Sequence, residues 1–437
     1  MFKLIQLLFV LLFLINVTTP SSSQSSYLTE MEKEKLLSLI KENIEKRYVY
    51  KDKSALINNE LTKLSQTEKY KQSNKPAIVS SLLTEVLQSY DGHFNVTWVD
   101  PTAIKKDKIE RESWNQRSQR SNYGFRKVES LFGNIGYIDL RFFDGSENAK
   151  LMADNIIKTL ANSQAVIIDL SQNGGGSPQM VQHLSSYFFS KEKPVHLNSL
   201  YWRESEQTVE FWTKTDLDSQ YMPEIPLYVI TSARTGSAAE EFAYNMQTQK
   251  RATLIGNTTA GGANPGGTIP LINNFEMFIS TGAAVNPITK TNWEKVGVVP
   301  EIKVKQENAL NTAYKMALNT VMENTQNKWQ KKEIRWHLET LDSINKPFKI
   351  EHNELKKYAG RYENREIIFQ NKEIFYQRGR RSMKQLIPLS KDLFALASDS
   401  MQSNRIRFNR DKSSENIVSF DLLSSNGQEN SYTKSDT

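Results

Sequence analysis

LYVITSARTGSAAEEFAY, residues 227–244, passes from an apolar run through a small polar turn into a helical pattern. Its opening run, Leu227-Tyr228-Val229-Ile230, is short and rich in β-branched residues, which predicts a buried strand. A small polar turn follows at 232–236, and Ala238, Ala239, Phe242, Ala243 and Met246 then recur at helical spacing. A strand that hands over directly to a helix is the building unit of an α/β sheet. Ser237 stands at the handover, where a hydroxyl is exposed beside the unpaired N–H groups of the first helical turn. Two readings of it are open. With Glu240 three residues on it matches a capping box, in which the serine only satisfies a helix-end donor. Supplied with a base, an orienting acid and an oxyanion site from elsewhere in the chain, it is a nucleophile.

Upstream, residues 135–140 read as a strand, 146–160 as an amphipathic helix and 165–170 as a strand buried on both faces. Asn173-Gly174-Gly175-Gly176 follows at the carboxyl end of that strand, where glycines let backbone N–H groups face an anion or a developing oxyanion. No P-loop lysine and no GxGxxG accompany it, which argues against a nucleotide; an ordinary tight turn is the other reading. Downstream come a short strand at 252–256, a glycine-rich loop at 258–267 and a strand at 275–280. Glu294 then lies in a turn before another short strand, either a solvated acid or a carboxylate able to reach a histidine.

The ends of the chain set the context. Its 437 residues suffice for two or three domains, and the net charge of +7 is interleaved with acids rather than gathered into a stripe with stacking aromatics, which excludes a nucleic-acid binder. Lys3, the apolar run 4–17 and a small polar flank have the pattern of a secretory signal, too short for a membrane span. Cysteine is absent, so disulfides, thiolate metal sites and cysteine nucleophiles are excluded, and an exported protein without disulfides fits a bacterial envelope. Residues 27–90 are helical in pattern, with Thr29 and Glu32 as a capping box, and end at Tyr90-Asp91-Gly92-His93, a turn that brings His93 to an edge. None of the five histidines pairs with another at i, i+4, so no metal is expected. From 352 onward short strands alternate with polar turns.

Taken in order, Asp91-Gly92-His93, Asn173-Gly174-Gly175-Gly176, Thr235-Gly236-Ser237-Ala238-Ala239-Glu240 and Glu294-Lys295-Val296-Gly297-Val298-Val299-Pro300 resemble the S41 serine peptidases. The resemblance implies an α/β core with a mixed sheet of the ClpP/crotonase type, preceded by a helical N-terminal domain and followed by a small antiparallel β domain, without a PDZ domain. The expected layout is a signal peptide at 1–23, helices at 27–100, a connection at 101–127, the catalytic domain at 128–342 and the β domain at 347–431. Between Arg251 and Thr289 there is no lysine, which disfavours the Ser/Lys dyad of the processing proteases and favours the tricorn-like arrangement. On that resemblance Ser237 is the nucleophile, His93 the base and Glu294 the acid, with N–H groups of Gly175, Gly176 and Ala238 forming the oxyanion hole and no cofactor or metal. Gly92 stands where the tricorn pattern has a hydroxyl residue, and Ser171 where the family usually has arginine. The implied partner is a peptide or unfolded protein, with no nucleic acid and no membrane span once the signal is removed; oligomeric state is not readable. The alternative is a non-catalytic binding protein holding an apolar ligand on the same fold.

Overall fold

The computed structural model describes residues 27–101, 113–346, 348–397 and 404–435, so the predicted signal segment and residues 102–112 of the predicted connection lie outside the described residues. At the centre is a six-stranded sheet in the order Ile302–Lys303, Thr253–Gly256, Leu227–Thr231, Ala165–Asp169, Ile135–Leu140, Phe125–Leu131. Its neighbours are parallel except for the last pair, in which Phe125–Leu131 runs antiparallel, so the sheet is mixed. Leu227–Thr231 is buried along its whole length, because both faces of the sheet are covered.

Alternation sorts its side chains. Val166, Ile168 and Val229 face one apolar core, shared with the helices Glu147–Leu160, Pro178–Ser186 and Ala238–Thr248. Ile167, Tyr228 and Ile230 face the other, shared with Gln306–Asn324 and Lys328–Asn345. Full burial of an aliphatic side chain contributes roughly 1.5–3 kcal/mol. A strand that is apolar at every position is therefore the expected solution for a sheet sandwiched between helices.

The amino-terminal helices Glu30–Arg47, Lys51–Gln66 and Pro76–Gln88 do not close a core by themselves. Leu36, Ile40, Ile44, Leu83 and Phe94 pack in one cluster with Phe275, Met277 and Ile279 from a strand far along the chain. The link is Asn95–Trp98, which pairs antiparallel with Phe275–Ser280 in the register Asn95↔Phe278 and Val96↔Met277. This pairing carries the Asp91-Gly92-His93 turn onto the central domain. After residue 352 an eight-stranded antiparallel meander runs from Gly360–Tyr362 to Glu429–Thr433 around Tyr358, Tyr362, Phe394, Phe408 and Phe420, and a bridge between Tyr362 and Lys434 joins its two ends. Among the described residues no helix is long and apolar enough to cross a membrane.

Candidate active site

Ser237 follows the central strand Leu227–Thr231 and immediately precedes the helix Ala238–Thr248. Its backbone, at φ 52° and ψ −124°, is not that of a helix cap. The capping residues Thr29, Ser113, Ser146 and Ser177 all have extended backbones, and each accepts a hydrogen bond from its helix through its side chain. A non-glycine residue with such positive φ is strained by about 1–3 kcal/mol and persists only where its surroundings hold it. A serine on a sharp, strained strand-to-helix turn is how a nucleophile's hydroxyl is presented above a sheet.

What holds it is Glu240. This carboxylate is fully buried and accepts hydrogen bonds from the Ser237 N–H at 2.9 Å, the Gly261 N–H at 2.6 Å, the Gly262 N–H at 2.8 Å and the Thr259 hydroxyl. Burial pushes the carboxyl upward from its ordinary value and these bonds oppose it. Three of the four partners can only donate, which favours the anion. The bond from the Ser237 N–H is the one a capping box calls for, and the same carboxylate also gathers a loop about twenty residues downstream.

The glycine turn lies directly against the serine. A Cβ added to Gly175, whose φ is +114°, would stand 2.7 Å from Ser237 Cβ and 3.1 Å from Ala238 N, so only glycine allows this approach. The buried Asn173 ties the two turns together: its carbonyl accepts the Gly236 N–H at 3.0 Å and its Oδ1 accepts the Gly175 N–H at 2.9 Å. That last bond corrects one expectation, since a Gly175 N–H already donating to Asn173 is not free for an oxyanion. Phe143 bridges Gly176 by donating to the Gly175 carbonyl and accepting from the Ser177 N–H, which turns the N–H of Gly176 to the opposite side. The Ala238 N–H, in the first helical turn, has no intrahelical acceptor by construction.

His93, half-buried, reaches this region from the other side. Its ring stacks on Phe278 with centroids 5.8 Å apart and lies against Gly262, where an added Cβ would be 2.7 Å from Cε1 and 2.9 Å from Nε2. Glu240 is thus the shared partner of the serine's own N–H and of the residue under the imidazole. Behind the ring, Asp91 is wholly buried, its Oδ1 accepting the His93 N–H at 2.9 Å and standing 3.7 Å from His93 Nδ1, which is buried and has no hydrogen-bond partner. Asn264 donates to the other Asp91 oxygen at 3.0 Å. Glu294 accepts from the Ala263 N–H at 2.7 Å and the Gly92 N–H at 3.4 Å, pinning the histidine turn to the glycine loop. Lys295, next to it, turns away and donates to the Ser89 carbonyl.

The electrostatics follow from two carboxylates around one imidazole. Burial works to lower the His93 pKa, but the negative charge of Asp91, with Glu294 and Glu240 behind it, outweighs that and holds it above its ordinary 6.5. Burial works to raise Asp91, and its bonds from His93 and Asn264 bring it below the usual range. Burial and the nearby Asp91 charge push Glu294 up. The donor atoms of Asp91, His93 and Glu294 lie within 4.8 Å of one another, the one such group among the described residues close enough to share a cation. On sequence alone Glu294 takes the orienting role, Asp91 is only a nearby stand-in for the hydroxyl residue that Gly92 replaces, and Glu240 is a capping partner. The local signal for Asp91 is its place two residues before the histidine; nothing local marks Glu240 beyond a cap.

Residues 134–304 match the family model for peptidase family S41. A carboxy-terminal-processing protease of Bartonella bacilliformis is 27% identical over 180 residues, 40% of this chain and 39% of that protein. The chloroplastic carboxyl-terminal-processing peptidase 2 of Arabidopsis thaliana is 28% identical over 170 residues, 38% of this chain and 31% of that one. The chain therefore spans well under half the length of these curated relatives. Among solved structures, mature CPAF complexed with lactacystin aligns with a TM-score of 0.48 at 12% identity, over 66% of this chain and 97% of that one. The photosystem II D1 C-terminal processing protease aligns at 0.44 and 12% identity, over 64% and 94%.

Proposed function

We propose, from the match of residues 134–304 to the model of peptidase family S41, that this protein is a serine peptidase with Ser237 as nucleophile and His93 as general base. The observation that carries the reading is the strained backbone of Ser237, held by a buried carboxylate and pressed against a glycine turn, which a helix cap does not need. Ser237 Oγ attacks a peptide carbonyl while His93 Nε2 takes the hydroxyl proton, and the same nitrogen returns it to the departing amine. Water then hydrolyses the acyl-serine by the same exchange in reverse. Asp91 and Glu294 stabilise the imidazolium that forms at each step, and Asp91 Oδ1 is the acid that Nδ1 meets as its 3.7 Å separation tightens around substrate. The N–H groups of Ala238 and Gly176 receive the oxyanion, an interaction worth ~10²–10³ in rate per donor.

Export belongs to the same proposal and rests on the secretory pattern of residues 1–23; amino-terminal sequencing of the mature protein checks it. The site itself is tested by a serine-directed phosphonate probe. Labelling is expected at Ser237 and is expected to disappear in His93→Ala. Labelling that persists without the imidazole removes His93 from the mechanism.

A further inference from the structure

A serine triad needs one acid behind its histidine, and His93 has two. The donor atoms of Asp91, His93 and Glu294 lie within 4.8 Å of one another. Asp91 is wholly buried, and after burial itself its charge is the largest cause pushing the Glu294 carboxyl upward. Two carboxylates held this close favour a positive charge between them, and the imidazole decides which kind.

The spacing is that of ligands not yet closed on an ion. Asp91 Oδ1 and His93 Nδ1 stand 3.7 Å apart, and Nδ1 is buried with no hydrogen-bond partner. That is too far for a hydrogen bond, and near the ~3.4 Å between two ligand atoms that each lie ~2.0–2.2 Å from a tetrahedral Zn²⁺. The farthest donor has to move in by about 1 Å, the scale of a side-chain rotation. The other carboxylate oxygens are already held. Asn264 donates to Asp91 Oδ2 at 3.0 Å, and the N–H of its neighbour Ala263 donates to Glu294 Oε2 at 2.7 Å. Metal-ligating carboxylates are fixed from behind by hydrogen bonds in the same way. His93 and Glu294 are only half-buried, so an ion reaches the trio from solvent.

We propose that Asp91, His93 and Glu294 form a reversible inhibitory site for Zn²⁺, with Nδ1 and one oxygen of each carboxylate as ligands and water in the fourth position. Imidazole suits Zn²⁺ and the neighbouring transition ions, whereas Mg²⁺ and Ca²⁺ take oxygen ligands alone. Inhibition follows from the tautomer. A neutral imidazole whose Nδ1 lone pair is on a metal carries its proton on Nε2. Nε2 is then a donor and cannot take the proton of Ser237. The inhibitory consequence rests on the peptidase reading; the metal site does not.

The full-length Ser237→Ala protein keeps all three ligands, and it is titrated with Co²⁺ and then Zn²⁺. One Co²⁺ per chain is expected, with the intense visible absorption of a four-coordinate ion, bleached by Zn²⁺ and unaffected by Mg²⁺ or Ca²⁺. In that background His93→Ala and Glu294→Gln are each expected to weaken Zn²⁺ by about 10²-fold or more, and Asn264→Ala by about 10–100-fold. Zn²⁺ should raise the unfolding temperature of the parent but not of His93→Ala, a scan that also shows the variant is folded. Absence of stoichiometric binding, or binding that survives His93→Ala or Glu294→Gln, overturns the inference. In the parent chain with Ser237 intact, phosphonate labelling is expected to stop at saturating Zn²⁺ and to return with a chelator. Labelling undiminished by bound Zn²⁺ overturns the inhibitory role. Binding that is lost in His93→Ala, with no labelling under any condition, supports the site and counts against the peptidase reading alone.

Discussion

Glu240→Gln is the perturbation that most directly probes how the nucleophile is held. One carboxylate oxygen accepts the Thr259 hydroxyl and the Gly261 N–H, the other the Ser237 and Gly262 N–H groups. A glutamine has one accepting oxygen, and its NH₂ settles towards Thr259, whose hydroxyl can turn to accept. Gly261 is then left with a buried N–H facing a donor, at about 1–3 kcal/mol, and the remaining bonds lose the contribution of the charge, roughly 0.5–1.5 kcal/mol each. Relief of a buried charge offsets part of this, leaving a net loss of ~2–4 kcal/mol. Urea unfolding should show the midpoint falling at unchanged slope, and phosphonate labelling of Ser237 should slow by about ten-fold or more. A variant within about 0.5 kcal/mol of the parent, labelled at the same rate, would refute the view that Glu240 holds the Ser237 turn.

Further outcomes follow from the same geometry. Gly262→Ala places a methyl group 2.7 Å from His93 Cε1, so kcat/KM for any cleaved peptide should fall by about 10² or more, with little change in unfolding midpoint. Because His93 must be neutral to act as a base, activity should rise with pH through a midpoint above 6.5, and Asp91→Asn should move that midpoint down in a pH–rate profile. In stability the sign is opposite: the charged His93 contributes below the unfolded-state value, and that contribution is lost as pH rises through the raised folded-state value. Glu241, buried against Asn198, has its carboxyl pushed up by burial to about 8 from 4.5. Its folded form binds more protons than the unfolded one across that window, so stability falls as pH rises from 4.5 to about 8. Glu241→Gln should be more stable than the parent at pH 8 by on the order of a few kcal/mol, with the difference vanishing near pH 4.5 in urea titrations.

Much of the core was legible because its signals are local. The strand 227–231, the helix after Ser237 and the glycine turn each show themselves within ten residues, through apolar runs, helical spacing and glycine. The strands His196–Trp202 and Gln207–Trp212 went unread, since their mixed composition alternates only in part. Nor does any local pattern show that Asn95–Trp98 pairs with a strand some 180 residues on, which denies the amino-terminal helices a core of their own and delivers His93 to the site. The same limit hid Glu240, whose capping pattern is local but whose bonds to Thr259, Gly261 and Gly262 are not. Gly175 was read as an oxyanion donor because its conformational freedom is visible in sequence, whereas the Asn173 side chain that occupies its N–H is visible only in the fold.

Whether Ser237 breaks peptide bonds is decided by hydrolysis of a mixed peptide pool by the purified protein, measured beside Ser237→Ala by mass spectrometry. A working triad predicts cleavage products whose rate of appearance drops by on the order of 10⁶ in the variant. Equal turnover by the two proteins, or none by either while an apolar ligand binds tightly, would contradict it and return the chain to a binding role.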